Sequence, residues 1–277
     1  MSSRSGTSLE LVLFGMALFC FWQGSTGQRE LESGFRPESR ETGVLRIATW
    51  NLGTGVDAGT EGLRNEDLMH VAESIRALDP DLVFLQELTG RFQLRSLGEA
   101  LGEGWTWELE RAASGRPLGV MAQHGTLRKL EDKLLERALG VEFLQPGRPK
   151  VTCVGLHASA FSSAERNRSI GRASDFLARI KGRVVLVGDL NLDLDIDKRH
   201  DLFTDDEYRD VETYNYLATY LFDTGLGTGS TAKPDRRLDY IFVGHEDFLI
   251  SQVGPWLGQR AVAMDHHPLV ADLRALE

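Results

Sequence analysis

Short apolar runs alternate with amphipathic segments from residue 44 to the end of the chain. The runs are rich in Val, Ile and Leu and are bounded by Gly, Asp or Pro, which favours buried strands. Seven strands are predicted, at 44–50, 81–86, 118–122, 150–156, 183–187, 240–243 and 269–273. Apolar residues at helical spacing predict three helices, at 65–78, 163–180 and 208–221. No repeat or Pro- and Gly-rich linker divides the chain, so one α/β domain is expected over 44–277.

Polar side chains stand at one end of six of these strands. Four groups follow their strand: Asn51, Glu87, His157, and Asp189 with Asn191. Two groups precede their strand: Asp239, and Asp265 with His266. The six groups converge only if the last two strands run antiparallel to the others. This arrangement predicts mixed sheets rather than a doubly wound parallel sheet.

Each of these residues alone has an ordinary structural explanation. An Asp or Asn after a strand usually forms a turn or caps a helix, and a single Glu is usually solvated. Their joint composition is more informative, because it combines carboxylates, amides and two histidines. Oxygen-rich sites suit Mg²⁺, with Mn²⁺ or Ca²⁺ as alternatives, whereas Zn²⁺ favours His and Cys. The histidines then serve proton transfer near neutral pH.

Six short motifs carry a resemblance to a known family. They are TWN (49–51), QE (86–87), LH (156–157), GDLN (188–191), RLDYIF (237–242) and DHHPL (265–269). The ordered set resembles the endonuclease/exonuclease/phosphatase superfamily, which includes pancreatic deoxyribonuclease, neutral sphingomyelinases and inositol polyphosphate phosphatases. The resemblance covers about 44 to 270. It implies a four-layered α-β-β-α sandwich, with two mixed sheets flanked by helices.

The resemblance also implies roles for the strand-end residues on the metal side. Glu87 would be the principal metal ligand, and Asn51 would lie beside it and contact metal or phosphate. Asp265 would be a direct or water-bridged metal ligand.

The remaining motif residues would carry the proton transfers, again by resemblance. Asp189 would orient and deprotonate the attacking water, and Asn191 would help to hold that water and the phosphate. His266, oriented by Asp239, would stabilise charge on the phosphoryl oxygens. His157 would be the acid for the leaving group.

Two features depart from the family pattern. Met264 precedes Asp265 where Ser or Thr is usual, so a hydrogen bond that supports this loop is expected to be missing. The abasic endonucleases carry an Asn-containing segment where this chain has Leu156-His157-Ala158, which argues against a DNA-repair role.

Two further features leave two interpretations each. Arg166 and Arg168 are either a solvated helix face or a phosphate contact near the leaving group. Alternating acidic residues after GDLN form either an acidic loop or a second cation site: Asp193, Asp195 and Asp197.

Composition narrows the class of partner. The chain has 277 residues, a net charge of −10 and a pI of about 5.3, unlike a basic nucleic-acid platform. An acidic enzyme still cleaves a polyanion when bound cations neutralise the site locally. The charge therefore lowers the expectation of tight, non-specific DNA binding without excluding a nuclease.

Residues 1–27 have the features of a signal peptide. Arg4 and Glu10 are their only charges, residues 11–22 are almost wholly apolar, and small residues precede Gln28. The apolar run is short for a membrane span, which needs about 20 residues, and an uncleaved membrane anchor is the alternative. We predict a signal peptide (1–27), a polar, flexible leader (28–43) and a secreted or periplasmic protein. Cys153 is then the single cysteine, and a packed structural thiol is expected.

Three functions remain open on the sequence. The first is an exported nuclease acting on nucleic acid, as a monomer without a protein partner. The second is a sphingomyelinase- or inositol-phosphate-type hydrolase acting on phospholipid or inositol phosphate. Such an enzyme needs an apolar or basic membrane-binding surface, and only Trp105 with Trp107 offers the former, although this pair is expected to pack in the core. The third is a non-catalytic scaffold, which the intact motif set argues against.

Overall fold

The computed structural model describes residues 34–38, 40–53, 65–110, 116–195, 209–258 and 264–276. The predicted signal peptide, residues 1–27, lies outside these ranges. Among the described residues, no helix is both long and apolar enough to cross a membrane.

Two six-stranded sheets form the centre of the fold. The first sheet contains β1 (Val44–Asn51), β2 (Leu82–Gln86), β3 (Trp105–Leu109), β4 (Gly119–Gln123), β11 (Phe248–Pro255) and β12 (Leu269–Ala275). The second contains β5 (Thr126–Lys129), β6 (Ala138–Leu144), β7 (Val151–His157), β8 (Arg183–Asp189), β9 (Leu221–Asp223) and β10 (Asp239–Gly244). The strand orders are β11-β12-β1-β2-β4-β3 and β5-β6-β7-β8-β10-β9.

Within the described residues, four α-helices cover the outer faces of the two sheets. Helices α1 (Asn65–Leu78) and α2 (Arg91–Leu101) pack on the first sheet, and α3 (Ser163–Leu177) and α4 (Asp210–Ala218) pack on the second. A short 3₁₀ helix (Lys133–Leu135) precedes β6. The inner faces of both sheets share one apolar cluster, which includes Phe84 and Val187. These layers confirm the predicted α-β-β-α sandwich.

The strand directions agree with those predicted from the polar groups that precede, rather than follow, their strands. β1 is parallel to β2, and β7 is parallel to β8. β12 is antiparallel to β1, and β10 is antiparallel to β8. Polar residues that precede β10 and β12 therefore reach the same end of the sandwich as those that follow β1, β2, β7 and β8.

All seven predicted strands and three predicted helices exist, but helix α2 and five strands were missed. The missed strands lack continuous apolar runs: β5 and β11 alternate buried with exposed residues at the sheet edges, and Gly140 and Glu142 interrupt β6. Helix α2 was missed because Phe92 is exposed and Gln93 is buried, which breaks its apolar stripe. Trp105 and Trp107, as expected, pack against the core of the first sheet.

The predicted flexible leader needs correction in its second half. Phe35 is only 3% exposed and joins the core between the first sheet and its helices. Its backbone N–H donates a hydrogen bond to Pro255 O at 2.7 Å. Phe35 was not predicted to be a core residue because the residues around it in the sequence are polar. The segment from Gly34 packs on the domain. Residues 28–33 lie outside the described ranges.

Candidate active site

The strand-end residues meet at one edge of the sandwich. Asn51 ends β1, and Glu87 follows β2. These two strands are parallel neighbours in the first sheet. In the second sheet, the strand register places His157, Asp189 and Asp239 side by side across β7, β8 and β10. Each sheet thus supplies part of the site.

Asp189 lies at the centre of this group and is 1% exposed. Its Oδ2 accepts a hydrogen bond from Asn51 Nδ2 at 2.9 Å. The same oxygen lies 3.8 Å from His157 Nε2 and 4.0 Å from His266 Nε2. A carboxylate so placed can take a proton from a water held between the two imidazoles.

The GDLN turn is held by the backbone of β7. Gly188 has φ +145°, and a Cβ there would lie 1.9 Å from Leu156 O, so only glycine fits. Asn191 has φ +49°, and its N–H donates to Asp189 Oδ1 at 2.9 Å. Asn191 Nδ2 donates to Ala158 O at 3.1 Å, which ties the turn to the residue after His157. The two motifs are therefore fixed relative to one another.

His266 and Asp239 form a buried pair. His266 Nδ1 donates to Asp239 Oδ2 at 2.8 Å, and Asp239 is fully buried. Burial alone lowers the pKa of His266, but the Asp239 carboxylate more than offsets it, with Asp189 adding to the effect, and the pKa rises to about 10. His266 is therefore a cation at neutral pH, with Nε2 facing Asp189.

The loop that carries Asp265 and His266 is supported by packing and backbone hydrogen bonds. Trp50 Nε1 donates to His266 O at 3.1 Å, and Lys233 N donates to Asp265 O at 2.8 Å. Met264 is fully buried in the apolar core of the first sheet. Apolar packing by Met264 thus stands where the family pattern has a hydroxyl side chain.

Glu87 occupies the strained backbone region that non-glycine residues rarely adopt, with φ +58°. Its Oε1 lies 3.5 Å from Asn51 Nδ2 and 3.8 Å from His157 Nε2. Its Oε2 forms an ion pair with Arg116. Sequence reasoning missed Arg116. This residue precedes the predicted strand at 118–122, and Asp239 and Asp265 likewise precede their predicted strands.

These residues form the floor of an open cleft of about 980 Å³. Six side chains line its inner part: Asn51, Glu87, Arg116, His157, Asp265 and His266. Asp265 is exposed there, which leaves its carboxylate accessible from the cleft. The outer wall comes from the loop after His157, from one face of α3, and from Glu136 and Arg137.

Arg166 does not line the cleft and is not solvated, so neither of the two interpretations applies to this residue. Its side chain is fully buried, with Nη2 2.6 Å from Asp210 Oδ1, and Nη1 donates to Ser159 O at 2.7 Å. Arg168, two residues further along α3, is exposed and lines the cleft.

The first residue of the acidic segment after GDLN, Asp193, also has a structural role. Asp193 is buried, and its Oδ2 accepts from Arg236 Nε at 2.7 Å. Its N–H donates to Asp210 Oδ2 at 2.9 Å. The second cation site considered for Asp193 is therefore not supported, because this carboxylate already neutralises a buried arginine. Asp197 lies outside the described residues.

An α-β-β-α sandwich with carboxylates, amides and histidines at one edge places the chain among the phosphoester hydrolases. The chain belongs to the Endonuclease/Exonuclease/phosphatase family, whose model matches residues 48–261. No curated protein matches the chain.

Solved structures share the fold at low sequence identity. An endonuclease/exonuclease/phosphatase from Beutenbergia cavernae is 24% identical, with a TM-score of 0.63, over 84% of this chain and 72% of that one. A mannosyl-6-phosphatase from Bacteroides thetaiotaomicron is 18% identical, with a TM-score of 0.63, over 83% and 99%. TDP2 of D. rerio, complexed with single-strand DNA product, is 17% identical, with a TM-score of 0.61, over 83% and 98%.

Proposed function

We propose that the chain is an exported, divalent-metal-dependent phosphodiesterase that cleaves nucleic acid by direct attack of water. The observation that carries the proposal is the placement of Asp189 between His157 and the His266–Asp239 pair, next to Glu87. This arrangement places an acid, His157, at 3.8 Å and a cationic side chain, His266, at 4.0 Å from the base Asp189.

The donors on the Glu87 side fit a hard cation. Glu87 and the exposed Asp265 provide carboxylate oxygens at the cleft floor, and Asn51 lies beside Glu87 with its amide nitrogen toward that carboxylate. Mg²⁺ commonly takes one or two carboxylates and completes its shell with water and substrate phosphate. Bound there, Mg²⁺ would supply charge neutralisation at a phosphoryl oxygen, worth several kcal/mol, with Mn²⁺ or Ca²⁺ as alternatives.

A second group of donors fits a cation less well. Among the described residues, Asp189, Asp239 and His266 have potential ligand atoms within 4.8 Å of one another. His266 Nδ1 and Asp239 Oδ2 already share a hydrogen bond, and an ion between them would have to break it. We therefore assign these three residues to proton transfer and charge stabilisation.

The protein side chains divide the remaining work. Asp189 accepts a proton from the attacking water, and Asn191 helps to hold the water and the phosphate. His266 donates from Nε2 to a non-bridging oxygen as negative charge develops, while Asp239 fixes its tautomer. His157 donates a proton to the leaving oxygen. The buried Cys153 is no nucleophile, because burial raises the pKa of its thiol.

Nucleic acid is the substrate class that the cleft favours. Its outer wall carries three arginines, at positions 137, 168 and 172, against two glutamates, at positions 136 and 165, in a chain whose net charge is −10. A cleft of this size accommodates more than one phosphate group. The structure of D. rerio TDP2 with a single-strand DNA product supports the same interpretation for a protein with this fold.

A substrate panel tests this function. The full-length chain is incubated with plasmid DNA, RNA, sphingomyelin and inositol phosphates, each with Mg²⁺ and again with excess EDTA. We expect nucleic acid to be cleaved at least about tenfold faster than the others, and EDTA to abolish turnover. Faster turnover of sphingomyelin or inositol phosphate would instead identify a head-group hydrolase. Absence of turnover on every substrate with Mg²⁺ or Mn²⁺ would contradict the enzymatic proposal.

Export has its own test. The short apolar run at residues 11–22 supports cleavage before Gln28 and a secreted or periplasmic product. Mass spectrometry of the protein collected outside the cytoplasm should find a mature N-terminus at Gln28. Recovery of a chain that begins at Met1 in the membrane fraction would indicate an uncleaved anchor.

A further inference from the structure

One face of helix α3 forms the outer wall of the cleft. Glu165, Arg168, Ser169 and Arg172 line the cleft and follow the spacing of one helical face. The opposite face of α3 is buried and includes Ile170 and Ala173. The wall is therefore a continuous helical surface.

Among the described residues of this wall, Arg168 is the arginine without a carboxylate partner. Arg137 lies 3.6 Å from Glu165, and Arg172 lies 2.8 Å from Glu136, so two of the three arginines have carboxylate partners. Arg168 has no hydrogen bond or ion pair to any described residue. Its charge faces the same cleft as the candidate active site and is available to an anionic group of the substrate.

The position of Arg168 is fixed relative to the candidate active site. Ser162 caps α3 by accepting from Glu165 N at 3.3 Å, and the loop from Ala158 to Ser162 connects the cap to His157. The buried Arg166 binds Ser159 O in that loop and Asp210 behind the helix. Arg168 is therefore carried by a helix that is held in place by its cap and by the contacts of Arg166. Such a position suits a residue that must bind its ligand in one defined geometry.

An exposed aromatic ring lines the same cleft as this cation. Phe161 lies in the loop between His157 and α3, lines the cleft and is 81% exposed. An aromatic face beside a cation is the combination that binds a base and its phosphate in single-stranded nucleic acid.

We propose that this outer wall is a subsite for the nucleotide next to the scissile phosphodiester. Arg168 binds the neighbouring phosphate, and the ring of Phe161 stacks on the neighbouring base. The inference rests on the proposed nuclease function and narrows its substrate to strands with at least two phosphodiesters. A lipid with a single phosphodiester cannot use the Arg168 contact.

Two thymidine substrates test the phosphate contact with the full-length chain and Mg²⁺. TpT has one phosphodiester, and TpTpTpT has three, so that each of its phosphodiesters has at least one neighbouring phosphate. Arg168→Ala is expected to lower the ratio of kcat/KM for TpTpTpT to kcat/KM for TpT about tenfold, mainly through KM. The salt dependence of binding to the longer strand should lose about 0.7 from its log–log slope. Arg168→Lys should recover part of the ratio.

Matched variants separate the subsite from general effects. Arg179→Ala removes an exposed arginine that does not line the cleft and should leave the ratio unchanged. Phe161→Leu should weaken TpTpTpT binding about tenfold, and Phe161→Tyr, which keeps the ring, should restore it.

The outcomes distinguish this subsite from the proposed function. A wild-type chain that cleaves TpTpTpT faster than TpT, with an unchanged ratio in Arg168→Ala, would overturn the subsite alone. Equal losses on both substrates in Arg168→Ala would also overturn it. A wild-type chain that hydrolyses lipid or inositol phosphates but neither thymidine substrate would overturn the nuclease proposal and this inference together.

Discussion

Glu87→Gln is expected to lower kcat/KM for nucleic acid about a thousandfold at fixed Mg²⁺. Loss of a cation from a phosphodiester site costs several kcal/mol of transition-state stabilisation, and 1.4 kcal/mol corresponds to a factor of ten. Glutamine has the same shape as glutamate, so the strained backbone at φ +58° and the packing should persist. The carboxylate charge is what the substitution removes. Steady-state kinetics across a Mg²⁺ titration measures the effect, and higher Mg²⁺ should recover part of the activity.

Two further variants define the cause of that loss. Glu99→Gln removes an exposed glutamate on α2, whose side chain is 72% exposed, and should leave kcat/KM within about twofold of wild type. Arg116→Ala removes the ion-pair partner of Glu87 and should reduce activity less than Glu87→Gln does, without removing the metal ligand. Full metal-dependent turnover by Glu87→Gln would refute the ligand assignment.

Much of the candidate site was predictable because it lies at strand ends. The apolar runs located the strands, and the side on which each polar residue stands predicted strand direction. Asp239 at the start of β10 and Asp265 before β12 required antiparallel strands, which the sheets contain. The register of β8 and β10 then brings Asp239 opposite Asp189.

Residues on helix α3 show where sequence reasoning stops. Arg166 and Arg168 are two positions apart, and an α-helix turns about 200° over that distance. One is buried against Asp210, and the other lines the cleft. Both were candidates for phosphate binding because the sequence did not show that a buried aspartate from α4 would neutralise Arg166. Its partner lies 44 residues away along the chain.

Met264 shows a different limit. The absence of a hydroxyl side chain at position 264 predicted that a hydrogen bond supporting the loop before His266 is missing. Neighbouring strands and the core support this loop by other contacts. The indole of Trp50 holds His266 O, and the side chain of Met264 is fully buried. A family motif shows the local side chain that most members use to support a loop. Support that comes from packing against residues distant in sequence depends on the assembled fold and is not visible in the motif.

Asp239→Asn is expected to lower kcat about 10²- to 10⁴-fold at neutral pH. The carboxylate holds the His266 ring through Nδ1 and raises its pKa to about 10, against 6.5 for a free imidazole. An amide cannot supply that charge, so the pKa of His266 falls, with only Asp189 and Asp265 still raising it against the effect of burial. The residual activity of Asp239→Asn should increase as pH falls, because acid restores the imidazolium. A pH profile of kcat from about pH 5 to about pH 10 measures this shift.

The same pair sets a pH dependence of stability. A raised folded-state pKa means that protonated His266 stabilises the fold fully below about pH 6.5, and that this contribution is lost as pH rises through about 10. Urea unfolding of the wild type in EDTA should therefore show a decline between these limits. Asp239→Asn should lose most of that decline, whereas His245→Ala, which removes an exposed histidine, should keep it.

A double-mutant cycle decides whether Asp239 acts through His266. If it does, Asp239→Asn combined with His266→Ala should lose no more kcat than His266→Ala alone, because the carboxylate has no imidazole left to orient. Independent losses that multiply in the double variant would show that Asp239 has a separate role, such as contact with a cation near Asp189. The cycle therefore tests directly whether Asp239 and His266 act as one unit.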